Sequence, residues 1–172
     1  MHNVRLDRIE ETKGRAASDP QATMLQVNMA GAWQADDGDP QFAGTVTFAQ
    51  GDARLEADFP PFLGGDGRTP SPLTYCFFGA MACYGATFAM QAAMAGVEIR
   101  DLRITLALSV DFHTALGLGE HVPLSRFDFE VQVDTDASDE EIQRVKQLAD
   151  ERCPAIWAME NPVPYRTRAQ KV

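Results

Sequence analysis

From Pro72 to Ala95 the chain runs for 24 residues without a charge, PLTYCFFGAMACYGATFAMQAAMA, and this stretch decides what can fold around it. It carries the marks of one helix. Ser71 is placed as an N-cap, Pro72 sits at the first helical position, where its missing N–H is no loss, and Gly96 follows as a stop. At 1.5 Å per residue such a helix spans roughly 36 Å, enough to cross a bilayer. Its content argues otherwise: seven alanines, two glycines, and the polar Thr74, Thr87 and Gln91. Strands with one clean apolar face follow and need covering, so the expectation is a core helix buried all round. Gly79, Ala82, Ala86, Ala89 and Ala93 recur at three- and four-residue steps. That stripe lets another backbone approach closely, as a helix packed on a partner helix across a dimer requires.

The flanking segments read as strands. Leu25, Val27 and Met29 alternate with polar neighbours; Phe42, Gly44, Val46 and Phe48 follow, then Ala53, Leu55, Ala57 and Phe59, with a hairpin at Gln50-Gly51-Asp52. Beyond the helix, Leu102, Ile104, Leu106, Leu108, Val110 and Phe112 alternate with Arg103, Thr105, Ser109, Asp111 and His113. A Gly-rich loop leads to a second alternating strand, where Phe127, Phe129, Val131 and Val133 oppose charged neighbours. Both are half-buried antiparallel strands with a wet face. A second helix opens on Ser138-Asp139-Glu140-Glu141, a capping box, and carries Ile142, Val145, Leu148, Ala149 and Cys153 on one side until Pro154 ends it. The tail NPVPYRTR is expected to be extended. The fold class is therefore α+β, with curved antiparallel sheets around a long central helix and a shorter amphipathic helix outside. Residues 1–22 form an N-terminal arm of uncertain structure, and residues 23–172 a single domain.

The balance of 15 Lys+Arg against 25 Asp+Glu, a net charge of −10, repels nucleic acid and anionic membranes. Three cysteines are too few, and odd in number, for a secreted disulfide scaffold. The charged N-terminus MHNVRLDRIEETKGR lacks the apolar run of a signal peptide, so a cytoplasmic protein is expected. His2, His113 and His121 show no metal-ligand spacing with each other or with the cysteines, so no metal and no cofactor is expected. Gly64-Gly65-Asp66-Gly67 lacks the strand and helix context of a phosphate loop and reads as a turn feeding the helix.

The cysteines are the most informative residues. Cys76 and Cys83, seven apart on one helix, lie about 20° apart in azimuth and roughly 10 Å along the axis. That exceeds the ~7 Å Cα limit for a disulfide. Cys153 is free to approach either. The plain alternative is that all three are small buried hydrophobes.

Residues 64–83, GGDGRTPSPLTYCFFGAMAC, with Cys153-Pro154 and Asn161-Pro162-Val163-Pro164, resemble the OsmC/Ohr family of osmotically inducible and organic hydroperoxide resistance proteins. In that family a redox cysteine lies about eleven residues after the helix-starting Pro, and Cys83 is eleven after Pro72. The second cysteine ends a later helix as Cys-Pro, as Cys153 does. The resemblance extends over residues 23–168 in order. It implies an intertwined homodimer with active sites at the subunit interface and thiol peroxidase chemistry on organic hydroperoxides. Cys83 would be oxidised to a sulfenic acid, Cys153 would resolve it as a disulfide, and an external dithiol, lipoyl or thioredoxin-like, would reduce the pair.

Two positions depart from the family pattern. Leu73 stands where its peroxidases carry Glu, and Ala30-Gly31-Ala32-Trp33 where they carry Arg. Arg54, Arg68 and Cys76 are the accessory candidates, with Cys76 by default a core residue. The departures keep a second class open: an OsmC-like protein that binds a small hydrophobic ligand at the dimer interface without turnover.

Overall fold

The polar N-terminal stretch holds a helix, α1 (Leu6–Ala16). Asp7 in its first turn and Lys13 and Arg15 in its last complement the helix dipole. The computed structural model describes residues 3–171. A 3-10 turn follows at Pro20–Thr23, opened by the Asp19 carboxylate, which accepts from the Gln21 N–H at 3.0 Å. The chain then divides into two compact units, Asp7–Phe78 and the remainder from Gly79 onward, with the residues before Asp7 joining the latter.

The Asp7–Phe78 unit is built on an antiparallel sheet of β1 (Ala30–Trp33), β2 (Phe42–Phe48) and β3 (Gly51–Ala57), in that order. Trp33 pairs Phe42, and Phe48 pairs Gly51 across the expected hairpin. The strand expected over Leu25–Met29 does not form; those side chains are exposed and the ladder starts only at Ala30. Alternation supplies a face, but a strand also needs a neighbour to take its backbone hydrogen bonds. Behind β3 the glycine-rich loop folds onto the buried Asp58, whose Oδ2 accepts from the N–H groups of Asp66 and Arg68, both at 3.1 Å. A Cβ on Gly65 would stand 2.0 Å from the Phe59 carbonyl oxygen, so only glycine passes there. The motif is thus a turn, as its sequence context indicates.

The uncharged run is one helix, α2 (Pro72–Ala95), which starts in this unit and continues into the next. Length and composition alone would let it cross a membrane. Its buried residues, Ala80, Tyr84, Thr87, Phe88, Gln91, Ala92 and Ala93, instead mark a stripe packed inside the protein. The expectation of a helix buried all round is corrected: Cys76, Phe78, Gly79, Ala82 and Ala86 are exposed. Within one chain only one face of α2 is covered, and most of the small-residue stripe lies on the bare side.

In the second unit β4 (Asp101–Ala107) pairs antiparallel with β5 (Asp128–Asp134). Leu102, Ile104, Phe129, Val131 and Val133 turn inward onto a core of Tyr84, Phe88, Ala92, Val97, Ile99, Val145, Ala149 and Cys153. The strand expected to reach His113 ends at Ala107. Beyond it only an isolated bridge, Val110 to Leu124, remains. From Ala107 to Val110 is three steps, while from Asp128 to Leu124 is four, so an extra residue on the returning side breaks the ladder.

α3 (Asp139–Arg152) begins with the expected capping box: Ser138 Oγ accepts from the Glu141 N–H at 3.3 Å, and the Ser138 N–H donates to Glu141 Oε2 at 2.8 Å. Cys153 is its C-cap. Pro154 ends α3 but also opens a further helix, α4 (Pro154–Glu160), which the sequence did not announce; the tail expected to be extended begins only after it, at Asn161. A residue that cannot continue a helix is well suited to start one.

Candidate active site

Two helices bring the sulfurs together. Cys83 lies on α2 beside the buried Tyr84. Cys153 lies four residues beyond Ala149 and eight beyond Val145, on the face of α3 that packs into the core. The Cys153 Sγ–H points at Cys83 Sγ across 3.7 Å. Cys153 is wholly buried, whereas Cys83 is half-buried and reachable. Polar bonds tie the helices on either side of the pair. The Tyr84 hydroxyl donates to Asp150 Oδ1 at 2.7 Å, and Arg152 donates to the buried Gln91 Oε1 at 2.9 Å. Lys146 completes the first of these bridges at 2.6 Å from Asp150 Oδ2.

Burial pushes the Cys83 thiol above its ordinary range, and the adjacent Cys153 sulfur adds to this. The backbone N–H of Ala155, near the start of α4, and the Thr87 hydroxyl act the other way. Burial, reinforced by the Asp150 carboxylate, likewise holds the Tyr84 phenol above its usual value. Thr87, Ala155, Tyr84 and Asp150 escaped the sequence reading. Their proximity depends on how α2 and α3 cross and on α4, which has no periodic signature.

The accessory candidates Cys76, Arg54 and Arg68 fall within the Asp7–Phe78 unit. Cys76 is an exposed free thiol, which corrects its reading as a core residue; it falls on the uncovered side of α2. Arg54 pairs with Glu56 at 2.8 Å; Arg68 pairs with Asp66 at 2.7 Å and donates to the Gly38 carbonyl. A crevice of about 670 Å³ lies in the second unit. Phe127, Phe129 and Met159 give it an apolar wall, while Lys146, Asp150 and Glu160 make it more polar than an oily pocket; neither sulfur lines it.

Residues 65–168, more than half of the chain, match the family model described as OsmC-like protein. The chain belongs to the OsmC-like family. No curated protein matches it. Among solved structures, an OsmC-like protein from Mycoplasma pneumoniae is 18% identical with a TM-score of 0.61, over 80% of this chain and 89% of that one. An organic hydroperoxide resistance protein, OsmC, from Legionella pneumophila is 20% identical with a TM-score of 0.53, over 80% and 90%. An OsmC-like protein of unknown function from Vibrio cholerae is 15% identical with a TM-score of 0.54, over 78% and 94%. At these identities the likeness is one of fold. This OsmC-like protein therefore has the fold on which the hydroperoxide resistance proteins are built, with a dithiol in its core.

Proposed function

We propose that this OsmC-like protein is a cytoplasmic thiol peroxidase for organic hydroperoxides, with residues 23–172 as its working domain. The observation that carries the reading is the 3.7 Å approach of Cys83 to Cys153, one sulfur reachable and the other enclosed. The Cys83 thiolate attacks the terminal peroxide oxygen; the O–O bond breaks, and the alkoxide leaves as the alcohol with one proton. Cys83 is now a sulfenic acid. Cys153 sulfur displaces its hydroxyl as water, forming the disulfide. An S–S bond is about 2.05 Å long, so the sulfurs close by about 1.7 Å, a movement the corner between α3 and α4 can absorb. An external dithiol, lipoyl or thioredoxin-like, then returns two electrons and two protons.

The functional form is a homodimer. Trp33, Phe48 and Phe78 are 61%, 56% and 60% exposed, and Ala82 and Ala86 lie bare along α2. Apolar surface on that scale calls for cover, and a second copy supplies it by the symmetry of most soluble oligomers.

One observation favours a second reading, an OsmC-like binding protein without turnover. Burial raises the Cys83 thiol and so disfavours its thiolate, and Leu73 and Ala30–Trp33 occupy positions where the family's peroxidases hold Glu and Arg. Stopped-flow reduction of cumene hydroperoxide, supplied with excess dihydrolipoamide, separates the two. Turnover that Cys83→Ser abolishes and Cys153→Ser stalls after one cycle is expected. Turnover equally slow in wild type and Cys83→Ser would leave the binding protein.

A further inference from the structure

Outside the dithiol, a group of chemically competent side chains lies in the connection between β4 and β5, where the sequence reads Asp111 and His113 as the wet face of a strand and His121 as part of a Gly-rich loop. His113 and His121 are eight residues apart, a spacing with no metal signature. The turn between them nevertheless stacks their rings, with centroids 4.4 Å apart and planes 19° from parallel. Both present Nδ1 to one carboxylate: His113 Nδ1 is 2.6 Å from Asp111 Oδ1, and His121 Nδ1 is 3.4 Å from Asp111 Oδ2. A ligand atom from each of the three residues lies within 4.8 Å of the other two.

We propose that Asp111, His113 and His121 form a binding site for one divalent transition-metal ion, zinc by preference, with its remaining position open to water.

The donor chemistry selects the ion. Two imidazole nitrogens and a carboxylate suit zinc and its transition-metal neighbours, whereas calcium and magnesium take oxygen almost exclusively. The distances fit as well. Zinc–nitrogen and zinc–oxygen bonds near 2.0–2.1 Å at tetrahedral angles put neighbouring donors about 3.3 Å apart. The His121–Asp111 separation of 3.4 Å already matches that edge and is long for a hydrogen bond. The His113–Asp111 contact must open by about 0.7 Å as the metal replaces the shared proton.

The loop holds the backbone of the three residues in place before any ion arrives, and the two stacked rings turn so that both planes meet the ion. The Asp111 N–H donates to the Pro123 carbonyl at 2.9 Å, and the Leu118 N–H to the His113 carbonyl at 2.9 Å. Thr114 Oγ1 accepts from the His121 N–H at 2.8 Å and donates to the His121 carbonyl at 3.0 Å. The His113 N–H bonds Asp111 Oδ1 at 2.8 Å. All three side chains are at least one-third exposed, so an ion enters without unfolding the loop.

The test uses the reduced, chelator-stripped full chain titrated with Zn²⁺ by calorimetry. Because thiolates are themselves zinc ligands, the same titration is run on the Cys83→Ser/Cys153→Ser chain. One equivalent should remain there. It should weaken more than ~10-fold in His113→Ala or His121→Ala and well beyond ~100-fold in the double variant, more than the ~10–100-fold that loss of an outer-shell contact costs. Equal affinity in the His113→Ala/His121→Ala chain, or loss of the equivalent with the cysteines, overturns the site. Co²⁺ gives a readout that needs no variant. Paramagnetic broadening of amide resonances should centre on residues 111–123 with no thiolate charge-transfer band; broadening centred on Cys83 contradicts the proposal.

Discussion

From Gly79 onward, Phe88, Val145 and Cys153 are almost wholly enclosed, and two strands and α3 turn their apolar faces onto them. In Asp7–Phe78 the buried apolar side chains among the described residues are two alanines, Ala43 and Ala57. There Phe42 lies over Gly31, and a shallow hollow of about 350 Å³ beside Leu55 and Tyr75 has almost entirely apolar walls. The first region has a core of its own. The second has the raw material of one, spread on a surface. At ~25 cal/mol per Å² of apolar area removed from water, what the second region leaves uncovered is what the proposed second copy would enclose. The dithiol sits in the finished core, where rigid packing can hold two sulfurs at a set distance.

The contrast yields graded predictions. The largest effect is expected in the core: Phe88→Ala should cost about 3–5 kcal/mol in chemical denaturation, since a fully enclosed ring leaves a cavity. Next comes the open sheet. Trp33→Ala should weaken self-association by ~2 kcal/mol or more in sedimentation equilibrium, as an interface anchor does. A change under ~0.5 kcal/mol, typical of surface sites, would mean that this face stays in water. Gly65→Ala should cost about 1–3 kcal/mol, because its methyl would press on the Phe59 carbonyl. Ser138→Ala removes one side of the capping box and should cost about 1 kcal/mol, a loss confined to α3 and visible in hydrogen exchange.

Much of this contrast was legible in the sequence. Two-residue alternation placed β2, β3, β4 and β5, and the Ser71-Pro72 start and Gly96 stop set the ends of α2. The capping box set the start of α3. What escaped has a common physical cause. The absent Leu25–Met29 strand, the early end of β4 and the bare face of α2 all depend on neighbours, and periodicity records a face without saying what covers it. The Cys83–Cys153 pairing entered through a family pattern, since elimination within one helix left Cys153 free to meet either Cys76 or Cys83. The histidine cluster left no trace, because a loop brings together residues that no helical or strand spacing relates.

Titration sharpens the comparison further. Burial raises Cys83 above the ordinary thiol value of 9.0, so the folded chain favours its protonated form. The resulting stability is fully present below the unfolded thiol's pKa and is lost as pH rises through the higher folded value. Alkylation of Cys83 by iodoacetamide at pH 7 should therefore be slower than that of free cysteine in solution, and should keep accelerating beyond pH 9.0. Fast alkylation at pH 7 would mean that a cation from a second copy reaches the sulfur.

The dithiol itself is tested most directly by peptide mapping under non-reducing conditions. The reduced protein is treated with one equivalent of cumene hydroperoxide per chain and quenched with an alkylating agent. The account predicts a cross-linked pair of peptides carrying Cys83 and Cys153, with Cys76 alkylated and two thiols lost per chain. Three alkylated cysteines, or a bond from Cys76 to either of the others, would contradict it.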